Sequence, residues 1–393
     1  MGPRQRLRAG RDDEIQNQPR RVSINVLMAG TFDRDFPRNR VLKALLEREG
    51  VEVGVLQREL WGRDRHVHVN ASKVRLLARA AVAYLQLLTG LARIERPDLI
   101  LIAYPGYFDM VMLAPIARAR RIPILFDPFI SLFDTLVEDR ALRGPRSFVG
   151  RLSRVTDRIA CRLADLVLVD TPAHAEYFVR ATGISGDRVR VLWLGAQEDV
   201  FRPQQGVVAI PNLVLFHGTF IPLQGLPTII RAAKHLEEKN IRFRVVGDGQ
   251  ERASIEQLVR DLGVSNVELP GRVPREVVPR EIASASLCLG IFGTSEKASR
   301  VVPNKLFECL AVGRPVVTAD TPAIRSAFSG EVEVVPAGDP EALAAKIEQL
   351  LASPARLGEL AAAGRSRFER DYSEATLSRR LFGYVGELVE NAR

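Results

Sequence analysis

Residues 99–103, Leu99-Ile100-Leu101-Ile102-Ala103, are apolar without a break. A strand with one face in water alternates apolar and polar side chains, because successive side chains point to opposite faces. A strand apolar at every position must be covered on both faces, the situation of a parallel sheet with helices above and below it. Similar runs recur at residues 22–29, 51–56, 122–127 and 166–170, then at 213–217, 243–246, 267–269, 287–292 and 315–318. Segments of helical period lie between them, at 41–48, 73–94, 226–236 and 251–262, with Gly50 and Gly263 placed as stop signals. A long Arg-rich helical region separates the runs at 122–127 and 166–170. This alternation predicts an α/β chain with two parallel sheets.

The two series meet at Phe201-Arg202-Pro203-Gln204-Gln205-Gly206, a turn-rich link. A chain of 393 residues is long enough for two domains of roughly 150–200 residues each. The expected architecture is two doubly wound Rossmann-like domains facing a cleft, over residues 21–200 and 207–370. Residues 1–20 read as a disordered basic leader, and 371–393 as a final helix crossing back to the first domain. In such sheets ligands sit beyond the carboxyl ends of the strands. That singles out Gly30, Asp33, Asp127, Gly218, Gly247 and Gly271.

One segment carries most of the chemistry: Arg300-Val301-Val302-Pro303-Asn304-Lys305-Leu306-Phe307-Glu308, running on to Gly313-Arg314-Pro315. Asn304 is a good N-cap, and Gly313 with Pro315 marks the stop, so a short helix should feed a buried strand. Its free N–H groups and positive dipole end suit a diphosphate. Lys305 adds a charge, and Glu308, three residues on, shares its face. From spacing alone, a capped surface helix with one ion pair fits equally well. A second segment, His217-Gly218-Thr219-Phe220 with Gln224-Gly225, reads either as a phosphate loop or as an ordinary strand-to-helix turn. Val246-Gly247-Asp248-Gly249 and Gly271-Arg272-Val273-Pro274 follow two further strands, and the latter could offer backbone groups to a nucleobase edge.

Taken in order, these segments resemble glycosyltransferase family four, the retaining enzymes of two-Rossmann (GT-B) architecture. The resemblance extends over nearly the whole chain after the leader, through Ala164-Asp165-Leu166-Val167-Leu168-Val169-Asp170-Thr171 and Leu194-Gly195-Ala196. It implies transfer of a sugar, with retention and without metal, from a UDP-sugar or GDP-sugar to a glycan, a lipid-linked or a small-molecule acceptor. The first domain would take the acceptor and the second the donor. Glu308 matches the family's second glutamate, which binds donor ribose. The first should lie eight positions earlier, where this chain has Arg300; the nearest acid is Glu296. The family's diphosphate-holding Arg and Lys would fall near Phe220 and Gln224, neither of them basic. Lys305, Lys297 and Arg300 are the candidate replacements. The expected donor site is therefore Gly30, Asp33, Gly218, Thr219, Gly247, Arg272, Val273, Lys297, Arg300, Asn304, Lys305 and Glu308. Lys305 and Asp127 are the catalytic candidates, although Asp127 reads as readily as a helix N-cap or loop carboxylate. Two other readings are a GT-B-like protein that binds a nucleotide sugar without transferring it, and a nucleotide-sugar epimerase.

The formal net charge of +9 favours anionic partners. Nucleic acid is not expected, since no zinc finger, RNA-binding signature or basic run with interleaved aromatics occurs. Arg151, Arg154, Arg158 and Arg162 recur at helical spacing after Arg140, Arg143 and Arg146, with Phe148, Leu152, Val155, Ile159 and Leu163 on another face. That helix either docks on an anionic membrane surface or buries its apolar face and leaves the arginines in water. Asp33-Arg34-Asp35 imitates a metal motif of a different glycosyltransferase architecture, and His66 and His68 lack further ligands; no metal is expected. Cys161, Cys288 and Cys309 form no C-x-x-C pair, which fits a reducing cytoplasm. Residues 1–21 lack the apolar core of a secretory signal, and residues 76–92 carry Arg79 and Gln86, too polar for a span. The expected location is cytoplasmic, peripheral on the inner face of the membrane.

Overall fold

The computed structural model describes residues 24–34, 36–60, 73–133 and 147–392. The leader, the start of the first expected strand, Asp35, His66, His68, Arg140, Arg143 and Arg146 lie outside these. Two six-stranded parallel sheets form the frame. The first contains β1 (Asn25–Gly30), β2 (Glu52–Gln57), β3 (Leu99–Ile102), β4 (Ile124–Phe126), β5 (Leu166–Val169) and β6 (Val189–Val191), in the order β2-β1-β3-β4-β5-β6. The second contains β7 (Leu213–His217), β8 (Arg242–Val246), β9 (Val267–Gly271), β10 (Leu287–Leu289), β11 (Val316–Ala319) and β12 (Glu333–Val335), in the order β12-β11-β10-β7-β8-β9.

Helices cover both faces. The first half has α1 (Pro37–Arg48), α2 (Lys73–Arg93), α3 (Tyr107–Ala119), α4 (Phe148–Leu163) and α5 (Pro172–Thr182). The second has α6 (Leu226–His235), α7 (Arg252–Leu262), α8 (Val278–Ser284), α9 (Glu296–Arg300), α10 (Asn304–Val312), α11 (Pro322–Ala327), α12 (Pro340–Leu351), α13 (Pro354–Arg367) and α14 (Glu374–Asn391). The expected two-domain α/β architecture is present. Helices α3, α5, α8, α9, α11, α12 and α13 and the edge strands β6 and β12 are additions to the elements located from the sequence.

Strand pleating sorts the core. Val26 and Met28 of β1 join a cluster with Leu42, Leu46 and Leu381, under α1 and α14. Leu27 and Ala29 join the opposite cluster with Leu87, Leu113 and Ala160, under α2, α3 and α4. The first of these clusters does not stop at the link between the halves. It continues through Trp193 and Phe201 to Phe307, Leu310 and Tyr372. Trp193 meets Tyr372 edge-on at 5.7 Å between ring centroids, and Phe307 meets Tyr372 at 4.9 Å. Helix α14 lies on α1: Ser378 Oγ donates to Glu49 Oε1 at 2.6 Å, and Tyr384 OH donates to the Val191 carbonyl at 3.0 Å.

Helix α4 departs from the amphipathic norm. Its buried residues are Gly150, Ser153, Thr156, Asp157, Ala160 and Cys161, whereas Phe148, Leu152, Val155 and Ile159 are exposed. The reading in which the apolar face packs inward is therefore corrected. Small residues let the helix lie close to the sheet, and the large apolar side chains point away from it.

Candidate functional site

Strand β7 ends at His217, and the next three residues form a loop strapped to the end of β8. Gly218 N donates to the Val246 carbonyl at 3.0 Å, Phe220 N to Asp248 O at 3.0 Å, and Glu251 N to Phe220 O at 3.1 Å. The strap is tight enough to require glycine. A Cβ on Gly247 would lie 1.8 Å from the Gly218 carbonyl oxygen, and φ there is +147°. The close approach at Gly247 is thus to the protein's own loop, where a ligand was expected. Phe220, at the family's Arg position, is buried and packs on Phe216 at 6.5 Å. Thr219 between them is exposed.

Helix α10 begins at Asn304, with Pro303 as its N-cap and no side chain capping it. Asn304 is therefore the first helical residue, not the cap. Proline suits that place, since it supplies an extended backbone and needs no hydrogen-bond partner for its nitrogen. Leu306 N donates to the Pro303 carbonyl at 3.0 Å, and the amides of Asn304 and Lys305 ahead of it are the ones left available to a ligand. Lys305 turns back across the sheet end: its Nζ donates to Gln224 Oε1 at 2.5 Å and sits 3.5 Å from the centroid of the Phe216 ring. A Cβ on Gly218 would come within 2.9 Å of the same nitrogen. Burial holds the Lys305 ammonium well below its ordinary pKa, against the pull of Cys309 and Glu308.

One turn further on, Glu308 Oε2 lies 3.7 Å from His217 Nδ1. Burial pushes the Glu308 carboxyl up to about 7, with Arg275 and Lys305 pulling the other way. The His217 imidazole is driven down to about 3 by burial and then by Lys305, so it is neutral and the Glu308 contact is no ion pair. Glu308 and Asn304 line a pocket between the halves, together with Arg38, Gly195, Gln197 and Arg275. Arg275 closes one side by donating to Gln197 Oε1 at 2.6 Å.

Arg300 does not join Lys305. Its guanidinium lies over the Tyr177 ring at 4.5 Å and contacts Glu296 Oε2 at 3.2 Å, while its carbonyl accepts from Thr171 Oγ1 at 2.7 Å. It bridges to α5 of the first half. Lys297 is buried on the same short helix, α9. Arg272 is exposed just beyond β9, and Val273 packs against the core cluster common to both halves.

In the first half, Gly30 has φ +138°, and a Cβ there would lie 2.4 Å from Asp109 Oδ2. That carboxylate accepts from Thr31 N at 2.8 Å, from Thr31 Oγ1 at 3.0 Å and from Tyr84 OH at 3.0 Å. The Asp33 carbonyl accepts from Asn39 Nδ2 at 2.9 Å. Asp127 follows β4 but is sealed from solvent. Arg38 Nε and Nη2 hold its two oxygens at 3.0–3.3 Å, and Arg38 Nη1 donates to the Leu192 carbonyl at 3.0 Å. Burial raises the Asp127 pKa against this pairing. It sits in the loop after β4 as a buried partner to Arg38, the loop-carboxylate reading and not the N-cap one. Arg38, Asp109, His217 and Arg275 were not anticipated. Arg38 lay ahead of the helix expected over 41–48, and only the observed start of α1 at Pro37 puts this cation in a first turn, where the dipole disfavours it.

A model of the Glycosyl transferase 4-like domain matches residues 38–195, and one of Glycosyl transferases group 1 matches residues 211–353. Fold and site together define a two-domain GT-B protein of glycosyltransferase type. More narrowly, the two models and the shared fold support a glycosyltransferase of family-four, GT-B type. Among curated relatives, the putative colanic acid biosynthesis glycosyl transferase WcaI of Escherichia coli K12 is 27% identical over 189 residues, covering 47% of this chain and 44% of the relative. The D-inositol 3-phosphate glycosyltransferase of Thermomonospora curvata is 29% identical over 252 residues, 57% of each chain. The chain thus spans about half the length of the curated relatives it matches. Two solved structures share the fold at 17% identity. HepE of Anabaena, in complex with UDP, has a TM-score of 0.68 over 93% of this chain and 100% of its own. Sucrose-phosphate synthase from Thermosynechococcus elongatus has a TM-score of 0.74 over 94% of this chain and 100% of its own.

Proposed function

We propose that the protein transfers a sugar from a nucleoside-diphosphate sugar, UDP- or GDP-linked, to a glycan, lipid-linked or small-molecule acceptor, with retention and without a metal ion. The observation that carries this reading is Lys305 Nζ seated on Gln224 beside Gly218. The cation missing at position 224 reaches the same spot from α10. Departure of the nucleoside diphosphate builds negative charge on the β-phosphate oxygen. The backbone amides of Asn304 and Lys305 and the Lys305 ammonium then stabilise that charge, and do so strongly in a site shielded from water. Burial disfavours the charged lysine, and an arriving diphosphate favours it. Glu308 accepts hydrogen bonds from the ribose hydroxyls, most strongly in its ionised form. Thr219 and the backbone at Gly218 border the phosphates, and Arg272 and Val273 flank the base. Asp127 acts through Arg38, whose edge of the pocket faces Glu308.

The Anabaena HepE complexes with UDP and with UDP-glucose support a nucleotide-sugar donor. The relatives named above are transferases by name, which favours neither a non-catalytic binder nor an epimerase. Buried free thiols at Cys161, Cys288 and Cys309 suit a cytoplasmic setting. The reading is tested by a thermal-shift screen of UDP, GDP and their sugars in excess EDTA, followed by product analysis with the best donor. Stabilisation by one nucleotide diphosphate in EDTA is expected. Stabilisation that appears only when manganese is supplied would contradict the metal-free site.

A further inference from the structure

We infer that the outer face of α4, with the neighbouring parts of α2 and α3, docks on an anionic lipid surface and holds the cleft mouth against it. Phe148, Leu152, Val155 and Ile159 follow one another at i, i+4, i+7 and i+11, which at 100° per residue confines them to an arc of about 60°. That arc points directly away from the sheet: Phe148 is 72% exposed and Leu152 52%. Next to α4, Phe108 of α3 is 58% exposed, and beyond it Leu85 of α2 is 63% exposed. A soluble protein gains nothing from such a surface unless something apolar covers it.

Charge identifies the occupant. Arg151, Arg154, Arg158 and Arg162 flank the apolar stripe of α4, all of them exposed. The only carboxylates within α2, α3 and α4 are Asp109 and Asp157, and both are buried. The surface offered is therefore apolar and cationic with no exposed anion on its helices, the pairing that lets a helix lie in the headgroup layer of an acidic bilayer. Among the described residues no helix is long and apolar enough to cross a membrane, so the contact is interfacial.

The direction of the helices fixes where the cleft lies. Helix α3 ends a few residues before β4, and α4 a few residues before β5. Their first turns, which carry Phe108 and Phe148, are therefore at the carboxyl edge of the sheet, where the cleft opens. Docking would present the acceptor side of the cleft to molecules held in the bilayer. That last consequence rests on the proposed transfer reaction; the docking itself does not.

The test is flotation of the full chain with vesicles of phosphatidylcholine alone and of phosphatidylcholine mixed with phosphatidylglycerol. The protein is expected to float with the mixed vesicles and not with the neutral ones. Leu152→Glu with Val155→Glu, and separately Arg151→Ser with Arg158→Ser, should each lower the bound fraction by an order of magnitude. Melting temperature and the shift produced by UDP, read on the same samples, should stay as in the wild type. Equal binding to both vesicle types, no binding, or binding unchanged in the variants would overturn the inference. So would a wild-type dimer that Leu152→Glu converts to monomer, since a second copy would then be what covers the face. Loss of the UDP shift in the wild type alone would count against the donor reading instead.

Discussion

Lys305 and Glu308 lie on one face of α10 and have opposite problems. Lys305 is buried and Glu308 mostly so, and desolvation moves the pKa of each toward the neutral form. For Glu308 the sign has a measurable consequence. A carboxyl raised from 4.5 to about 7 in the folded state contributes stability that is whole below 4.5 and is lost as pH rises to about 7. Glu308→Gln keeps the shape and cannot ionise. Its melting temperature relative to wild type should therefore climb between about pH 5 and about pH 8, by roughly 2–4 °C for each kcal/mol regained. The same variant should bind UDP about tenfold or more weakly, from the loss of about 1.5–3 kcal/mol of charge-assisted hydrogen bonding. Calorimetry at both pH values checks the first part, and a gap that does not change with pH would remove the buried ionisable carboxyl. Asp127 is a different case. Asp127→Ala strands Arg38 in the interior, at a cost of about 3–5 kcal/mol. Urea melts should show that loss, and a variant of wild-type stability with abolished turnover would return Asp127 to catalysis.

The elements around the site were legible where packing decides and illegible where contacts between distant residues do. Continuous apolar runs at β3, β5 and β7 predicted buried parallel strands, and these form with β7 at the expected bounds. Strands β6 and β12 escaped because edge strands of three residues with polar members carry no periodic signal. The glycines of the β7 and β8 ends were visible, but their use was not. A glycine fits a ligand approach and a backbone crossing equally well in sequence, and only the fold brings Gly218 against Gly247. That crossing predicts that Gly247→Ala is severe. The new methyl group has no position that avoids the Gly218 carbonyl, so the loop must separate from β8 and the variant should lose about 1–3 kcal/mol of stability together with its UDP shift. An alanine variant that melts and binds as wild type would show the strap to be dispensable.

At the scale of the molecule, one apolar cluster ties the two sheets together through Trp193, Phe201, Phe307 and Tyr372, and α14 returns to lie on α1. The halves are thus joined on one side by core packing, while on the other Glu308, Asn304, Arg38 and Arg275 face a pocket. Strand–helix alternation made the two-domain plan readable from the chain. Nothing in it could show that Arg38 and Asp127, 89 residues apart, would meet, or that Arg275 and Gln197 would close the pocket. The proposed relocation of the phosphate cation from position 224 to Lys305 lay between these extremes. The absence of a base at position 224 could be seen, and the contact of Lys305 Nζ with Gln224 could not. Titration of UDP into the wild type and into Lys305→Ala by calorimetry, both in excess EDTA, measures that replacement most directly. The wild type should bind without metal, and the variant should bind about ten to a hundred times more weakly, the loss of a charge-assisted contact of about 1.5–3 kcal/mol. Equal affinities would mean that Lys305 holds Gln224 and nothing else.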